Sequence, residues 1–199
     1  MTKKIVTRFA PSPTGYLHIG GVRTALFNFV FSRKNNGTFL VRIEDTDKER
    51  SEEQYITAIM DGLDWVGLKP DHEPIKQSDR FDIYKEEAFR LVEEGKAYKD
   101  DGAIRLKVDK EGSTLVKDQV YGDIEFLNKE LDDLVILRSD DSPTYHFCNV
   151  IDDNFQQVTH IIRGEDHLPN TPKQIQIVNA LNYDGFDYIH LPLVLGEDK

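Results

Sequence analysis

Arg8-Phe9-Ala10-Pro11-Ser12-Pro13-Thr14-Gly15-Tyr16-Leu17-His18-Ile19-Gly20-Gly21 is the stretch whose reading decides the fold. It begins at the end of an apolar run, Ile5-Val6-Thr7-Arg8-Phe9-Ala10, that reads as a strand. It ends in Val22-Arg23-Thr24-Ala25-Leu26-Phe27-Asn28-Phe29-Val30, where apolar residues at 22, 25, 26, 29 and 30 have helical spacing. Between the two, a pair of prolines discourages helix, and Gly15, Gly20 and Gly21 remove side-chain bulk. A strand, a tight turn and a helix start form the arrangement that turns free backbone N–H groups toward a phosphate. Arg8 and Ser12 stand at the other lip of that turn, placed to receive a carboxylate. The spacing is neither the Gly-x-Gly-x-x-Gly of a dinucleotide fold nor a P-loop.

Downstream, Lys34-Asn35-Asn36-Gly37 supplies a helix stop, with Gly37 suited to positive φ. Thr38-Phe39-Leu40-Val41-Arg42-Ile43 reads as the second strand, closing a strand–helix–strand unit. Its carboxyl end releases Glu44-Asp45-Thr46-Asp47, where open α/β sheets place ligands. Such a group can bind a metal, receive an ammonium or cap the next helix; Ser51 with Gln54 already reads as a capping box. The segment 51–65 has the spacing of a helix packed on the sheet, with Trp65 and Val66 expected in the core. A further helix follows Gln77-Ser78-Asp79-Arg80, capped by Ser78 or Asp79 and ended by Gly95.

From Ala97 the pattern shortens. Ile104–Val108, a stretch around Gly122, Leu134–Arg138 and Thr144–Val150 read as strands, the last two joined by the turn 139–143. This predicts a small β-rich lobe inserted into a parallel α/β fold. The chain then returns to the main fold with the strand Thr159–Arg163, the run Gly164-Glu165-Asp166-His167, a helix starting at Asn170-Thr171-Pro172 with Ile175, Val178 and Leu181 inward, and a last strand over 188–195.

Composition narrows the class. The 199 residues carry 25 Lys+Arg against 36 Asp+Glu, a net charge of −11, which argues against broad nonspecific DNA binding. Any nucleic-acid footprint must then be a confined basic patch. One cysteine, Cys148, excludes an internal disulfide and a four-cysteine zinc module. No apolar run has membrane-span length and no secretory h-region follows Met1, so the cytoplasm is the expected compartment.

The run Arg8–Gly21 resembles the first signature of the class I glutamyl-tRNA synthetases, in which Gly21 is characteristic of the glutamyl branch. The resemblance implies a Rossmann-like nucleotide-binding fold divided as 1–98 and 144–199, with an acceptor-binding lobe at 99–143. It implies that Arg8, Ser12, Glu44, Tyr145, Asn149 and Arg163 bind L-glutamate: Arg163 at the side-chain carboxylate, helped by Arg8 and Tyr145, with Ser12 and Glu44 at the α-amino end. Independently, two guanidiniums around one small ligand suit a dianion. His18, Gly20, Gly21, Asp166 and His167 are implied at ATP, with His18 as the catalytic donor to a phosphate oxygen and magnesium entering with the nucleotide. The implied partners are glutamate, ATP and the acceptor end of tRNA(Glu), acting on a monomer without membrane or DNA. Relatives carry a longer stretch, often with zinc-binding cysteines, where Lys99-Asp100-Asp101-Gly102 stands here, so a tight turn and no zinc are expected. The resemblance also places a lysine-rich second signature shortly after Leu195-Gly196-Glu197-Asp198-Lys199, where the sequence stops. These residues are therefore expected to be the front portion of a longer enzyme, with little activity alone. Two readings stand beside this one: the short paralogue that glutamylates a modified base in tRNA(Asp), and a substrate-binding fragment without turnover.

Overall fold

The computed structural model describes residues 4–47 and 50–193. In chain order its elements are β1 (Val6–Phe9), α1 (Ile19–Lys34), β2 (Thr38–Ile43), α2 (Glu53–Trp65), β3 (Ile75–Lys76), α3 (Phe81–Glu93), β4 (Ala97–Asp100), β5 (Ala103–Leu106), β6 (Ser113–Asp118), β7 (Gly122–Leu127), β8 (Leu134–Leu137), α4 (Tyr145–Phe155), β9 (His160–Gly164), α5 (Thr171–Leu181) and β10 (Asp187–Leu191). They form two compact units, Met1–Ser78 with Val158–Leu168 and Phe186–Lys199, and Asp79–Gln157 with Pro169–Gly185.

The first unit is built on five parallel strands in the order β3-β2-β1-β9-β10. The chain moves outward from β1 to β2 and β3, then returns to lay β9 on the other side of β1. That reversal is a topological switch point, where open α/β sheets leave a crevice beyond the strand ends. Register fixes the two faces, because side chains alternate along each strand. Thr7 pairs with Phe39 and His160, and Arg163 pairs with His190. One face therefore carries Phe9, Phe39, Val41, Ile43, Ile162, Ile189 and Leu191. It packs on Ala25 and Phe31 of α1 and on Ile59 and Leu63 of α2. The opposite face carries Arg8, Arg42, Glu44, Arg163 and His190.

Helix α1 buries Ala25, Asn28 and Ser32, while Leu26 and Val30, expected inside, are about half exposed. Asn28 is tolerated there because its side-chain amide N–H groups donate to the Ile162 carbonyl at 3.0 Å and the Thr24 carbonyl at 2.9 Å, and the Thr7 hydroxyl donates to its main-chain carbonyl. The stop after α1 differs in detail from expectation. Asn36 takes the positive φ of 51°, whereas Gly37 is needed for space: a Cβ there would lie 2.4 Å from the Ile5 carbonyl oxygen.

Trp65 is a correction: it is 88 % exposed. The inward stripe of α2 runs through Ile59 and Leu63, and a residue two positions on falls about 200° round the helix. The capping box also fails to form. Glu52 is the N-cap without a side-chain bond, and Gln54 donates to Glu52. Nor do Ser78 or Asp79 cap α3; they belong to the 3-10 turn Gln77–Arg80, and Arg80 is the N-cap.

In the second unit β4, β5 and β8 form an antiparallel sheet, and β6 and β7 a hairpin. The β4–β5 join is a two-residue loop, Asp101-Gly102, with φ of 46° and 81°. Two consecutive positive φ values are what the type I′ hairpin requires, and Asp-Gly provides them at little cost. The stretch Thr144–Val150, read as a strand, is instead the start of α4. Residues 147–153 are all buried, the polar Asn149, Asp152 and Asp153 among them. Asp152 is fully buried and is matched by Arg80 Nε at 2.8 Å and the Tyr84 hydroxyl at 2.7 Å. Burial and the Asp152 charge push the Tyr84 hydroxyl well above the usual phenol range. On α5, Ile177 rather than Ile175 joins Val178 and Leu181 inside. The last strand ends at Leu191, before Pro192, and residues 194 and 195 of the expected strand lie outside the described residues.

His160, at the start of β9, packs on Phe31 of α1 and has Asp187 Oδ2 3.5 Å from its Nε2. Burial holds its pKa below the usual histidine value, partly offset by Asp187. Such a group binds fewer protons folded than unfolded, so its stabilisation is complete above about pH 6.5 and is lost as pH falls toward the folded value. His167 acts in the same direction. The melting temperature should therefore fall on going from about pH 7.5 to about pH 5, and fall less in His160→Gln; an identical fall in both proteins would remove His160 from the account.

Candidate functional site

The site is assembled in the first unit at the carboxyl ends of β1, β2 and β9. Arg8 and Arg163 leave the same face of neighbouring strands on either side of the switch point, and both are buried. The electrostatics of His167 report their convergence. Burial first, then the guanidinium of Arg163 and, less strongly, that of Arg8 hold its pKa low against the pull of Asp166. Three cationic or potentially cationic groups thus share one corner of the sheet.

Glu44 leaves β2 on that same face, 5 % exposed, and its Oε1 accepts from Arg42 Nη2 at 3.0 Å. Arg42 is fully buried. The pair is explained by strand period alone: residues two apart share a face, so the carboxylate is accompanied into the interior by a guanidinium. The next carboxylate, Asp45, accepts from the Ser78 backbone N–H at 2.8 Å and from its hydroxyl at 2.6 Å, which ties the strand exit to the 3-10 turn. The expected choice among metal, ammonium and cap for this acidic run is thereby narrowed. Asp45 is committed to Ser78, and neither carboxylate caps α2.

The proline loop is stapled to the same exit: the Glu44 N–H donates to the Pro11 carbonyl at 2.9 Å and the Glu52 N–H to the Pro13 carbonyl at 3.2 Å. Ser12 lies exposed on this loop. His18 is the N-cap of α1, its Nδ1 accepting from the Gly21 N–H at a long 3.4 Å. An Nδ1 that accepts leaves the proton on Nε2, so the outer nitrogen of the ring is a donor. The two glycines serve this local packing. A Cβ at Gly20 would stand 3.1 Å from the His18 ring, and one at Gly21 would stand 2.9 Å from Leu17 Cδ1. Gly164 plays a similar part at the end of β9, where a Cβ would lie 2.3 Å from Asp166 Oδ1. Asp166 is exposed, and its Oδ2 is 3.7 Å from His167 Nε2.

The structure therefore brings together Arg8, Glu44, Arg163, Asp166 and His167 at the strand ends, with Ser12, His18, Gly20 and Gly21 on the loop and helix start that follow β1. Tyr145 and Asn149 belong to the second unit. They stand one turn apart on α4, with Asn149 buried and Tyr145 edge-on to His146 at 5.1 Å. Sequence reading missed Arg42, Ser78, Asp152 and His190 as partners of buried charge. For Arg42 and His190 a signal was present: Val-Arg-Ile-Glu and Ile-His-Leu each alternate apolar with polar inside a strand otherwise read as core. Among the described residues no three His, Cys, Asp or Glu side chains gather as a metal site, and no helix is long and apolar enough to cross a membrane.

The model for the catalytic domain of class I tRNA synthetases (E and Q) matches residues 4–103 and 101–199. The two matched segments meet at the β4–β5 hairpin, where the resemblance placed extra residues in relatives. A glutamate–tRNA ligase of Thermodesulfovibrio yellowstonii is 47 % identical over 228 residues, covering 96 % of this chain and 49 % of its own. One from Syntrophotalea carbinolica is 46 % identical, covering 98 % and 50 %. Both alignments exceed 199 positions, so the relatives carry residues inside the matched region that this chain lacks. The crystal structure of a glutamate tRNA ligase from Elizabethkingia meningosepticum in complex with its amino acid superposes with a TM-score of 0.88 at 31 % identity, covering 97 % of this chain and 50 % of that one. The chain spans about half the length of the curated relatives it matches.

The Arg42–Glu44 pair generates a stability test. Arg42→Met should cost about 3 kcal/mol by stripping a buried carboxylate of its guanidinium, and adding Glu44→Met should return part of that loss. Chemical denaturation measures both; a single variant as stable as the parent would show the pair to be dispensable.

Proposed function

Because the chain belongs to the class I tRNA synthetase (E and Q) catalytic-domain family, we propose that the charged face at its switch point binds L-glutamate for ATP-dependent activation. The fold is the Rossmann-like catalytic fold of that family, carrying an antiparallel β lobe. The observation that carries the reading is the convergence of Arg8 and Arg163 on one sheet face beside His167. Two buried guanidiniums on one face at the strand ends favour a ligand bearing two carboxylates, which they can meet with paired hydrogen bonds.

In this reading Arg163 takes the side-chain carboxylate, with Arg8 beside it, and Glu44 receives the ammonium, while Ser12 sits at the amino end. The α-carboxylate attacks the α-phosphate of ATP in line, forming glutamyl-adenylate and releasing pyrophosphate. The terminal adenosine of tRNA(Glu) then attacks the activated carbonyl and AMP leaves. Neither step calls for a protein nucleophile; alignment and charge stabilisation carry both. His18 Nε2–H and the first turn of α1 supply donors toward phosphate oxygens, and Asp166 and His167 flank the adenosine. Magnesium enters as the partner of the triphosphate; among the described residues no cluster of three His, Cys, Asp or Glu gathers to hold it independently.

Arg163→Gln should weaken glutamate binding by about 1.5–3 kcal/mol, the worth of a hydrogen bond to a charged group, while leaving ATP binding in place. Calorimetry on the folded variant decides this; unchanged glutamate affinity would take Arg163 out of the carboxylate role.

A further inference from the structure

We propose that His190 is a positioning residue for Arg163, fixing the plane of its guanidinium before glutamate arrives. The inference rests on Arg163 being the carboxylate-binding group. Arg163 and His190 are register partners on adjacent parallel strands, so their side chains rise side by side from one face. Arg163 Nε–H donates to His190 Nε2 at 3.1 Å. His190 is fully buried and Arg163 is 5 % exposed, so water does not compete for this bond. A guanidinium has donors only. His190 Nε2 must therefore keep its lone pair, which places the ring proton on Nδ1. Tyr188, on the same face two residues earlier, lies parallel to the imidazole at 11°, with ring centroids 6.3 Å apart.

The choice of nitrogen matters. Nε joins the guanidinium to its stem, and tying it down fixes the rotation of the whole planar group. The edge formed by the two terminal nitrogens is the one that matches a carboxylate with two parallel hydrogen bonds. Holding Nε through the imidazole orients that edge without adding a charge of its own. A buried Asp or Glu in place of His190 would neutralise the cation that the ligand needs. An imidazole orients it and leaves the charge intact. A lysine at 163 carries its three donors on one rotating nitrogen and has no planar edge to be fixed in this way.

Two measurements test this on the chain as it stands. Nitrogen chemical shifts of the His190 ring in the ligand-free protein should report protonation at Nδ1 and a bare Nε2; a ring protonated at Nε2 overturns the inference whatever the protein binds. Calorimetry then compares His190→Met, similar in reach and lacking a strong acceptor, with His190→Gln, whose amide oxygen reaches the former Nε2 position. His190→Met should bind glutamate about tenfold more weakly, with ATP affinity retained, and His190→Gln should recover most of the loss. Equal glutamate affinity in the parent and His190→Met overturns the positioning role. Failure of the parent to bind glutamate overturns instead the reading of Arg163, and the ring-nitrogen shifts still decide whether His190 holds it.

Discussion

Polar side chains on one face of a parallel sheet have to be partnered before that face can be buried, and the first unit is organised by this requirement. Arg42 is matched to Glu44 on β2, and Arg163 is held by His190 across β9 and β10. The other face is built almost entirely of Phe, Val, Ile and Leu packed on α1 and α2. Ordinary apolar burial there stabilises the sheet, and the polar face is free to carry chemistry. The reversal of strand order between β1 and β9 then decides where on that face a ligand can lie.

Local devices keep the polar strand ends in place. Main-chain bonds from Glu44 and Glu52 to the proline loop make the entry to α1 and the exit of β2 one structure. Glycine acts here as a spacer more than as a hinge. Gly20 and Gly21 admit the His18 ring and Leu17 over the helix start, and Gly164 admits the Asp166 side chain over the end of β9. Elsewhere glycine does supply backbone freedom, as in the Asp101-Gly102 hairpin. A two-residue loop of favourable type lets β4 and β5 pair directly.

Much of this was legible in the residues. β1, the loop, α1 and β2 follow from period, proline and glycine, and the candidate residues of the first unit stand at the strand ends and on the loop that follows β1. What was not legible has common physical causes. Helix α4 reads as a strand from the short run 144–150 alone, whereas its buried positions continue through Ile151 and the polar Asp152 and Asp153. Trp65 was assigned inward by its hydrophobicity, although its angular position on α2 turns it to solvent. Arg42 and His190 were read as strand filler because their meaning lies in cross-strand register, which one strand's sequence does not contain. The buried Arg80–Asp152–Tyr84 cluster likewise joins residues about seventy positions apart.

The most direct measurement of the central claim is a crystal structure of the protein with L-glutamate bound. The expected result is the side-chain carboxylate against the terminal nitrogens of Arg163, Arg8 beside it, and the ammonium at Glu44. Glutamate seated away from the β1–β9 switch point, or a bound state in which Arg8 and Arg163 face different surroundings, would contradict it.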